Sequence, residues 1–254
     1  MKSYNEALNI LKKSYIKVDD EFIKSTDSLN RVCSKNIYSS FNYPSENNTS
    51  LDGFAVNSRD TQGIFKNKIK KLKVIGLISA GSKPFKKILK KNEVVEIMTG
   101  GILPKGSNTI IPIEKCNYVK DKENNYILIK KNFKKFENVR FKGSDYKKKD
   151  LLIKKNTLIN SNHILTLKTL GVENIKVKKK INIAFFSSGN EISEKNQIPI
   201  WKIRNSNHYY IKSLKNNFLY NFKNLGILRD RDEKKLYYKI NKILKSKTDI
   251  IITS

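Results

Sequence analysis

Four short segments combine small residues with a carboxylate, a hydroxyl or an amide, the chemistry needed to bind a phosphate group and a hard cation. Small residues let backbone amides approach an anion, and carboxylates hold the divalent ion that neutralises it. The segments are residues 50–56 (SLDGFAV), 97–104 (IMTGGILP), 187–191 (SSGNE) and 203–207 (IRNSN). Taken alone, each is also compatible with an ordinary turn or helix cap. Their interpretation depends on the elements that position them.

The third segment is more specific than the others because a predicted strand precedes it. Residues 181–186 (INIAFF) predict a buried strand, so Glu191 would lie just past the carboxyl end of that strand, where open α/β sheets bind ligands. Asp230 follows a second predicted strand, 225–228, and is the matching carboxylate at the next sheet edge. Residues 203–207 could cap the following helix and present amides to an anion. A tight connection between elements, or a cap, is the alternative in each case.

The first half of the chain predicts one helix followed by strands. Ser3 and Glu6 have the spacing of a capping box, which indicates an amphipathic helix at the start. Short β-prone runs at 73–78, 94–98 and 126–129 are separated by turn residues. This pattern predicts a β-rich domain inserted after the first helix.

The second half predicts strands that alternate with helices. A helix runs from a cap at Ser161 to a stop at Gly171. Strands at 181–186, 225–228 and 250–252 then alternate with two helices. The apolar faces of these helices are predicted to be Ile211, Leu214, Phe218 and Phe222 for the first, and Leu236, Ile240, Ile243 and Leu244 for the second. Such alternation implies a parallel sheet and an α/β fold.

The composition argues against several classes of protein. The net charge is +29, but only six of the 52 basic residues are arginine, the side chain that base readout favours. We therefore expect a solvated basic surface and no specific nucleic-acid site. Cys33 and Cys116 lack the spacing of a disulfide framework or zinc cluster and are expected to be buried or half-buried. His163 and His208 lack triad partners and are expected to be surface or satisfied structural residues.

Neither a secretory signal nor an apolar run long enough to cross a membrane is present in the sequence. These observations predict a cytoplasmic protein with no membrane partner.

Taken in order, the segments resemble motifs of the molybdopterin molybdenumtransferase family, which includes the corresponding domain of the scaffold protein gephyrin. LDGFAV at 51–56 is similar to the family's M-D-G-[YF]-A-V, with Leu51 in place of methionine. The other matching stretches are IMTGGILPKGSN at 97–108, RFKGSD at 140–145, SSGNE at 187–191 and IRNSN at 203–207. Any one motif is weak, but five in register make the resemblance specific.

The resemblance implies an α/β and β multidomain fold. A helical and β-rich elongated N-terminal region would be followed by an incomplete three-layer α/β molybdopterin-binding domain. The implied domains are a helical linker formed by 1–30 and 148–178, an inserted β-rich domain at 31–147, and a partial α/β domain at 179–254. In the family, the strand matching 249–254 continues into a glycine-rich loop, which implies a C-terminally truncated member.

The family reaction takes adenylylated molybdopterin and molybdate, releases AMP, and leaves molybdenum on the dithiolene. Carried over by motif, the implied catalytic residues are Asp52, Thr99, Glu191 and Asp230. Contacts to the pterin and its phosphate are implied for Asp145, Ser188, Gly189, Asn190, Asn205, Ser206 and Asn207. Glu191 and Asp230 are the implied ligands of Mg²⁺.

The resemblance also implies a homodimer and allows a partner of the molybdopterin adenylyltransferase type. Two hypotheses stand beside the enzyme. The first is a non-catalytic pterin-binding or scaffold remnant that keeps part of the site. The second is a basic nucleic-acid-binding protein, which would have to bind at physiological salt with a sequence preference.

Overall fold

A computed structural model describes residues 2–65, 68–121, 123–214, 217–229 and 233–254. Within these ranges the chain forms helices α1 (Tyr4–Lys13), α2 (Ser161–Thr169), α3 (Asn207–Lys212) and α4 (Glu233–Leu244). The strands are β1 (Asp20–Lys24), β2 (Ile37–Tyr38), β3 (Asn48–Thr49), β4 (Gly53–Val56), β5 (Lys70–Ile78), β6 (Glu93–Ile97), β7 (Thr109–Pro112), β8 (Cys116–Asp121), β9 (Asn124–Ile129), β10 (Val139–Arg140), β11 (Leu151–Ile153), β12 (Asn174–Lys178), β13 (Ile181–Ser188), β14 (Ile192–Ser193), β15 (Ile203–Arg204), β16 (Tyr220–Leu228) and β17 (Ile250–Thr253).

The chain divides into two compact units, each of which is described by itself. Unit 1 contains residues 1–37 and 152–254, and unit 2 contains residues 38–151. The finer division, with a separate helical linker at 1–30 and 148–178, remains a prediction.

Unit 2 is built on a six-stranded mixed sheet with the order β7-β4-β6-β5-β9-β8. The β5–β6 pair is parallel and the other neighbours are antiparallel. All four residues of β4 are buried, with Phe54 and Val56 in one apolar cluster and Ala55 in another. Because side chains alternate along a strand, this sheet packs a core on both faces of its central strands. The β-rich region and its strands at 73–78, 94–98 and 126–129 are confirmed.

Unit 1 contains an antiparallel pair of strands packed against helix α2, and a three-stranded parallel sheet. Strands β1 and β12 pair in antiparallel fashion, and an apolar cluster joins Val177 of β12 to Leu167 of α2. The parallel sheet has the order β16-β13-β17, with α3 and α4 in the connections. This alternation confirms the predicted α/β pattern of three parallel strands. The three-layer arrangement of this α/β domain remains a prediction.

Two local predictions for the helices need correction. The cap of α2 is Asn160, whose side chain accepts from the amide of His163, and not Ser161. Helix α3 ends at Lys212, and Phe222 lies in β16 instead of on a helix face. The physical reason is tertiary, since the Phe222 ring packs 5.9 Å from that of Phe185 on the neighbouring β13.

Several smaller predictions are confirmed. Ser3 and Glu6 form the capping box of α1, although none of the residues of that helix is buried. Both cysteines are free thiols, with Cys33 buried and Cys116 half-buried. Burial raises the pKa of the Cys33 thiol, and it raises the pKa of Cys116 to about 11. Neither thiol is therefore activated as a nucleophile or metal ligand.

Candidate functional site

The carboxyl ends of all three parallel strands of unit 1 meet at one loop. The Ser188 amide donates to the Ser254 carbonyl at 2.6 Å, and the Gly189 amide donates to the Leu228 carbonyl at 3.0 Å. We call residues 187–191 the strand-end loop. Ser187 and Ser188 continue strand β13, so the loop proper is shorter than the sequence suggests. The backbone amides of Ser188 and Gly189 are already used by neighbouring strands, so neither of these two groups is free to bind an anion.

Glycine at 189 is favoured by its positive φ, and the Glu191 carboxylate occupies the space of a Cβ. Gly189 has a φ of +142°, and a Cβ at this position would lie 2.5 Å from Oε1 of Glu191. The Glu191 carboxylate is therefore folded back against the backbone of the same loop, while its side chain stays exposed. Any side chain at 189 would displace that carboxylate and strain the backbone.

An arginine that the sequence motifs did not single out organises the strand-end loop. Arg229 Nη1 donates to the carbonyl oxygens of Gly189 at 2.9 Å, Asn190 at 3.1 Å and Ile192 at 2.8 Å. The Lys202 ammonium also donates to the carbonyl of Asn190. Two cations thus hold the loop through its carbonyl groups, and they bring positive charge to the strand-end loop.

A buried polar chain connects the strand-end loop to the segment at 203–207. The Ser187 hydroxyl is 1% exposed and donates to Oδ1 of Asn205 at 2.7 Å. The Asn205 amide nitrogen donates in turn to Oε1 of Glu194 at 3.0 Å, and the Asn205 side chain is itself buried. Asn205 is consequently fixed by both ends of its amide, and it acts inside the fold more than at the surface.

The residues after Asn205 behave differently from the predicted cap. Ser206 stands at the cap position of α3, but its side chain makes no capping hydrogen bond. Ser206 and Asn207 are both exposed. His208 was expected at the surface or with its polar atoms satisfied, and this is wrong, because it is 6% exposed and its buried Nδ1 has no partner among the described residues. The ring packs beside that of Tyr209, with a centroid separation of 3.8 Å.

In unit 2, the first two motifs are joined by a carboxylate and a threonine. Oδ1 of Asp52 accepts from the Thr99 amide at 2.7 Å and from the Thr99 hydroxyl at 2.8 Å. These two bonds, the backbone one first, lower the pKa of Asp52. We call this the Asp52–Thr99 pair, and both of its side chains are exposed. It presents an ionised, oriented carboxylate at neutral pH.

The backbone around the Asp52–Thr99 pair leaves no room for side chains at two glycines. A Cβ at Gly53 would lie 2.1 Å from the carbonyl oxygen of Ile111. At Gly101 it would lie 2.6 Å from Cγ1 of Ile97 and 2.9 Å from the Met98 carbonyl oxygen. The glycines in both motifs therefore serve close backbone packing.

Asp145 lies in a second polar group of unit 2. Its carboxylate accepts from Arg140 Nη2 at 2.5 Å and from the Ser144 hydroxyl at 2.9 Å. These bonds, the arginine one first, lower the pKa of Asp145. Strand β3 connects this group to the Asp52–Thr99 pair, because Arg140 pairs with Asn48 while Thr49 exchanges backbone bonds with Gly100 and Gly101.

The predicted metal ligands are only partly described. Glu191 is an exposed carboxylate in the strand-end loop, whereas Asp230 lies outside the described residues. Among the described residues, no group of three or more histidine, cysteine, aspartate or glutamate side chains could hold a metal ion. Mg²⁺ usually needs one or two carboxylates together with phosphate oxygens, so Glu191 alone fits the role of a single protein ligand.

The structure thus sorts the predicted residues into local groups. Asp52 and Thr99 touch, and Asp145 stands in a separate ion pair of the same unit. In unit 1, Ser188, Gly189, Asn190 and Glu191 share the strand-end loop, and Asn205 joins it through Ser187. Motif analysis missed Glu194, Lys202 and Arg229, and it included Ser187 in the segment 187–191 without its bond to Asn205. No helix in the described part of the chain is long and apolar enough to cross a membrane.

Comparisons with known families, curated proteins and solved structures agree on one protein family. The model of the MoeA N-terminal region (domain I and II) matches residues 2–171. A molybdopterin molybdenumtransferase of Staphylococcus epidermidis is 30% identical over 253 residues, covering 99% of this chain and 59% of that protein. The same enzyme of Staphylococcus aureus is 34% identical over 188 residues, covering 74% of this chain and 44% of that protein.

Solved structures are similar as well. Two crystal structures of molybdopterin biosynthesis MoeA protein from Pyrococcus horikoshii align over 98% of this chain. One has a TM-score of 0.84 at 29% identity, and this chain covers 62% of it. The other has a TM-score of 0.85 at 25% identity, and this chain covers 65% of it. The chain therefore spans less than two thirds of the length of these relatives.

Proposed function

This chain belongs to the MoeA family, and on that premise we propose that it acts in molybdenum cofactor biosynthesis as a molybdopterin molybdenumtransferase. It would bind adenylylated molybdopterin and take part in its reaction with molybdate, with release of AMP. The observation that carries this proposal is the strand-end loop, where the exposed Glu191 carboxylate lies over Gly189 at the carboxyl ends of three parallel strands. This is the position at which α/β sheets bind ligands.

Recognition of the anionic phosphate linkage falls to side chains in this proposal. The Ser188 and Gly189 amides are bonded to other strands, so they cannot form a backbone cradle. The exposed Ser206 and Asn207 side chains would hydrogen-bond the pterin or its phosphate as neutral donors. Arg229 and Lys202 would supply positive charge while holding the loop. Asn205 would fix the position of the adjacent Ser206 and Asn207, because Ser187 and Glu194 hold its side-chain amide.

Glu191 is assigned the role of a Mg²⁺ ligand, and Asp230 is assigned the same role by family resemblance. When bound, the ion would polarise the phosphate linkage. The chain's own contribution at this point is an exposed carboxylate on a loop whose backbone is fixed. The three bonds from Arg229 to the loop carbonyls fix that backbone, and glycine at 189 leaves space for the carboxylate.

In unit 2, Asp52 and Thr99 are proposed as further catalytic groups, and Asp145 as a pterin contact. The lowered pKa of Asp52 keeps its carboxylate ionised, and the Thr99 bonds fix one oxygen so that the other faces solvent. Asp145 is likewise ionised and aimed by Arg140. We further propose that the protein acts as a cytoplasmic homodimer that receives its substrate from a molybdopterin adenylyltransferase-type partner.

The alternative function is a chain that binds the pterin without turnover. Two measurements, ligand binding and AMP release, distinguish these two functions.

The test is AMP release from adenylylated molybdopterin with molybdate and Mg²⁺, measured on the wild-type chain and on Glu191→Gln. We expect release by the wild type and a loss of about 100-fold in the variant, because a carboxylate next to the reacting phosphate is removed. Glu173→Gln is the matched control, since Glu173 is an exposed carboxylate of the same unit paired with Lys168. It should leave the rate unchanged.

Binding without AMP release by the wild type would favour the pterin-binding alternative. Absence of both binding and release would contradict the proposed function. Equal rates for the wild type and Glu191→Gln would remove Glu191 from the catalytic groups.

A further inference from the structure

An exposed aromatic turn stands next to the strand-end loop. The Lys202 amide donates to the Pro199 carbonyl at 2.9 Å, which closes a turn with Ile200 and Trp201 at its tip. Ile200 is 99% exposed and Trp201 is 72% exposed. A tryptophan left in water forgoes one of the largest apolar burials available to a side chain, so its ring face is open to a ligand.

Backbone connections fix how far this turn can lie from the strand-end loop. The amide of Ile203 donates to the Glu191 carbonyl at 2.9 Å, and the Lys202 ammonium bonds the Asn190 carbonyl. Trp201 is two residues before Ile203, so their Cα atoms are at most about 7 Å apart. The indole therefore belongs to the surroundings of Asn190 and Glu191 by covalent geometry alone.

The charges around the turn select the kind of ligand that would cover the indole. Lys202 follows Trp201 directly, and Arg229 contributes a second cation through its bonds to the same loop. Phosphate groups suit these cations, and a flat aromatic ring suits the indole face. A ligand that carries both groups would satisfy the turn and the loop together.

We propose that Trp201 binds the strand-end ligand by stacking on its planar heterocycle, while Lys202 and Arg229 face its phosphate. This inference rests on the proposed function and extends it, because it assigns a ring contact to a residue that lies outside the five motifs. Adenylylated molybdopterin carries two planar heterocycles, a pterin and an adenine. Both offer the same stacking chemistry, and the experiment below distinguishes them.

The chain contains one tryptophan, so emission excited beyond the tyrosine absorption band reports on this turn alone. We expect adenylylated molybdopterin to quench that emission saturably. Calorimetric titration of the wild type and of Trp201→Ala with AMP and with neopterin then separates the rings, because the ring that stacks on the indole is the one whose affinity falls in the variant. A loss of affinity for either ring supports the stacking contact.

Affinity measurements by calorimetry complete the test. Trp201→Ala should bind adenylylated molybdopterin about tenfold more weakly, and Trp201→Phe should stay within about threefold of the wild type, because a phenyl ring still stacks. Tyr237→Ala is the matched control, since Tyr237 is 73% exposed on α4 of the same unit. It should bind like the wild type, and all three variants should keep the wild-type melting temperature.

The outcomes separate this inference from the function on which it rests. Wild-type affinity in Trp201→Ala would overturn the stacking contact and leave the proposed function standing. Absence of binding by the wild type would overturn both. A change in Trp201 emission that follows protein concentration, without ligand, would assign the turn to a contact between copies of the chain and overturn the inference.

Discussion

The Asp52–Thr99 pair and the strand-end loop each hold an exposed carboxylate, but the chain fixes them by different means. In unit 2, close backbone packing fixes the segments around the carboxylate, since neither Gly53 nor Gly101 has room for a Cβ. In unit 1, hydrogen bonds fix the loop: the buried Ser187 and Asn205 side chains bond each other, Asn205 bonds the exposed Glu194, and Arg229 bonds the loop carbonyls. The first site should therefore fail when volume is added, and the second when a hydrogen-bond partner is removed.

Adding one methyl group to unit 2 should give the largest effect. Gly53→Ala places a Cβ 2.1 Å from the Ile111 carbonyl oxygen, at the first residue of the buried strand β4. We expect a loss of about 3 kcal/mol in the free energy of unfolding, because the neighbouring strand β7 would have to move. Chemical denaturation followed by circular dichroism measures it.

Gly63→Ala is the control for this experiment, because no atom lies within 4 Å of the added Cβ and only the positive φ is strained. It should cost about 1 kcal/mol. Equal losses for the two variants would contradict the steric origin of the glycine in the first motif.

Removing one hydroxyl from unit 1 should give the next effect. Ser187→Ala leaves Oδ1 of the buried Asn205 without its donor, at a cost of about 2 kcal/mol in the free energy of unfolding. The adjacent Ser188→Ala removes an exposed hydroxyl that makes a 3.3 Å bond, and it should cost under about 0.5 kcal/mol. Thermal unfolding of both variants measures the difference. Similar melting temperatures would show that the buried polar chain does not stabilise the loop.

A change in titration should be the smallest effect. Thr99→Val removes one of the two bonds that lower the pKa of Asp52, so that pKa should rise part of the way towards its ordinary value. The backbone bond remains and keeps part of the shift. Carboxyl-carbon NMR across an acid titration measures the pKa, with Thr99→Ser as the control that retains the hydroxyl. Identical Asp52 titrations in the two variants would contradict the role of the hydroxyl.

The sign of the associated stability follows from the lowered pKa. The Asp52 contribution is fully present above the ordinary aspartate pKa, and it is lost as the pH falls through the lower value of the folded state. Thr99→Val should therefore lose this contribution at a higher pH than the wild type does.

The sequence predicted the elements whose formation depends on residues close together in the chain. The capping box of α1 and the strands β5, β6 and β9 could be read from spacing and β-propensity. The helix assigned to Phe222 was wrong, because its apolar spacing fits a helix while pairing with β13 makes it a strand. Periodicity cannot distinguish the two when the deciding contact comes from a residue far away in sequence.

The same limit applies to the site. Motifs located Asp52, Thr99 and Glu191, since small residues and carboxylates are visible in the sequence. They did not locate Arg229 or the Ser187–Asn205 bond, which exist only because the strands bring these residues together. Nor did they reveal that the Ser188 and Gly189 amides are taken by neighbouring strands. Burial and pairing decide which polar groups remain for a ligand.

The most direct test of the central claim is a backbone amide NMR titration of the chain with adenylylated molybdopterin. Binding at the strand-end loop predicts saturable chemical-shift changes at residues 187–191 and 203–207. The control residues are the α2 amides of the same unit, which should not shift. Saturable changes confined to residues outside 187–191 and 203–207, or no changes at all, would contradict the assignment of this loop as the ligand site.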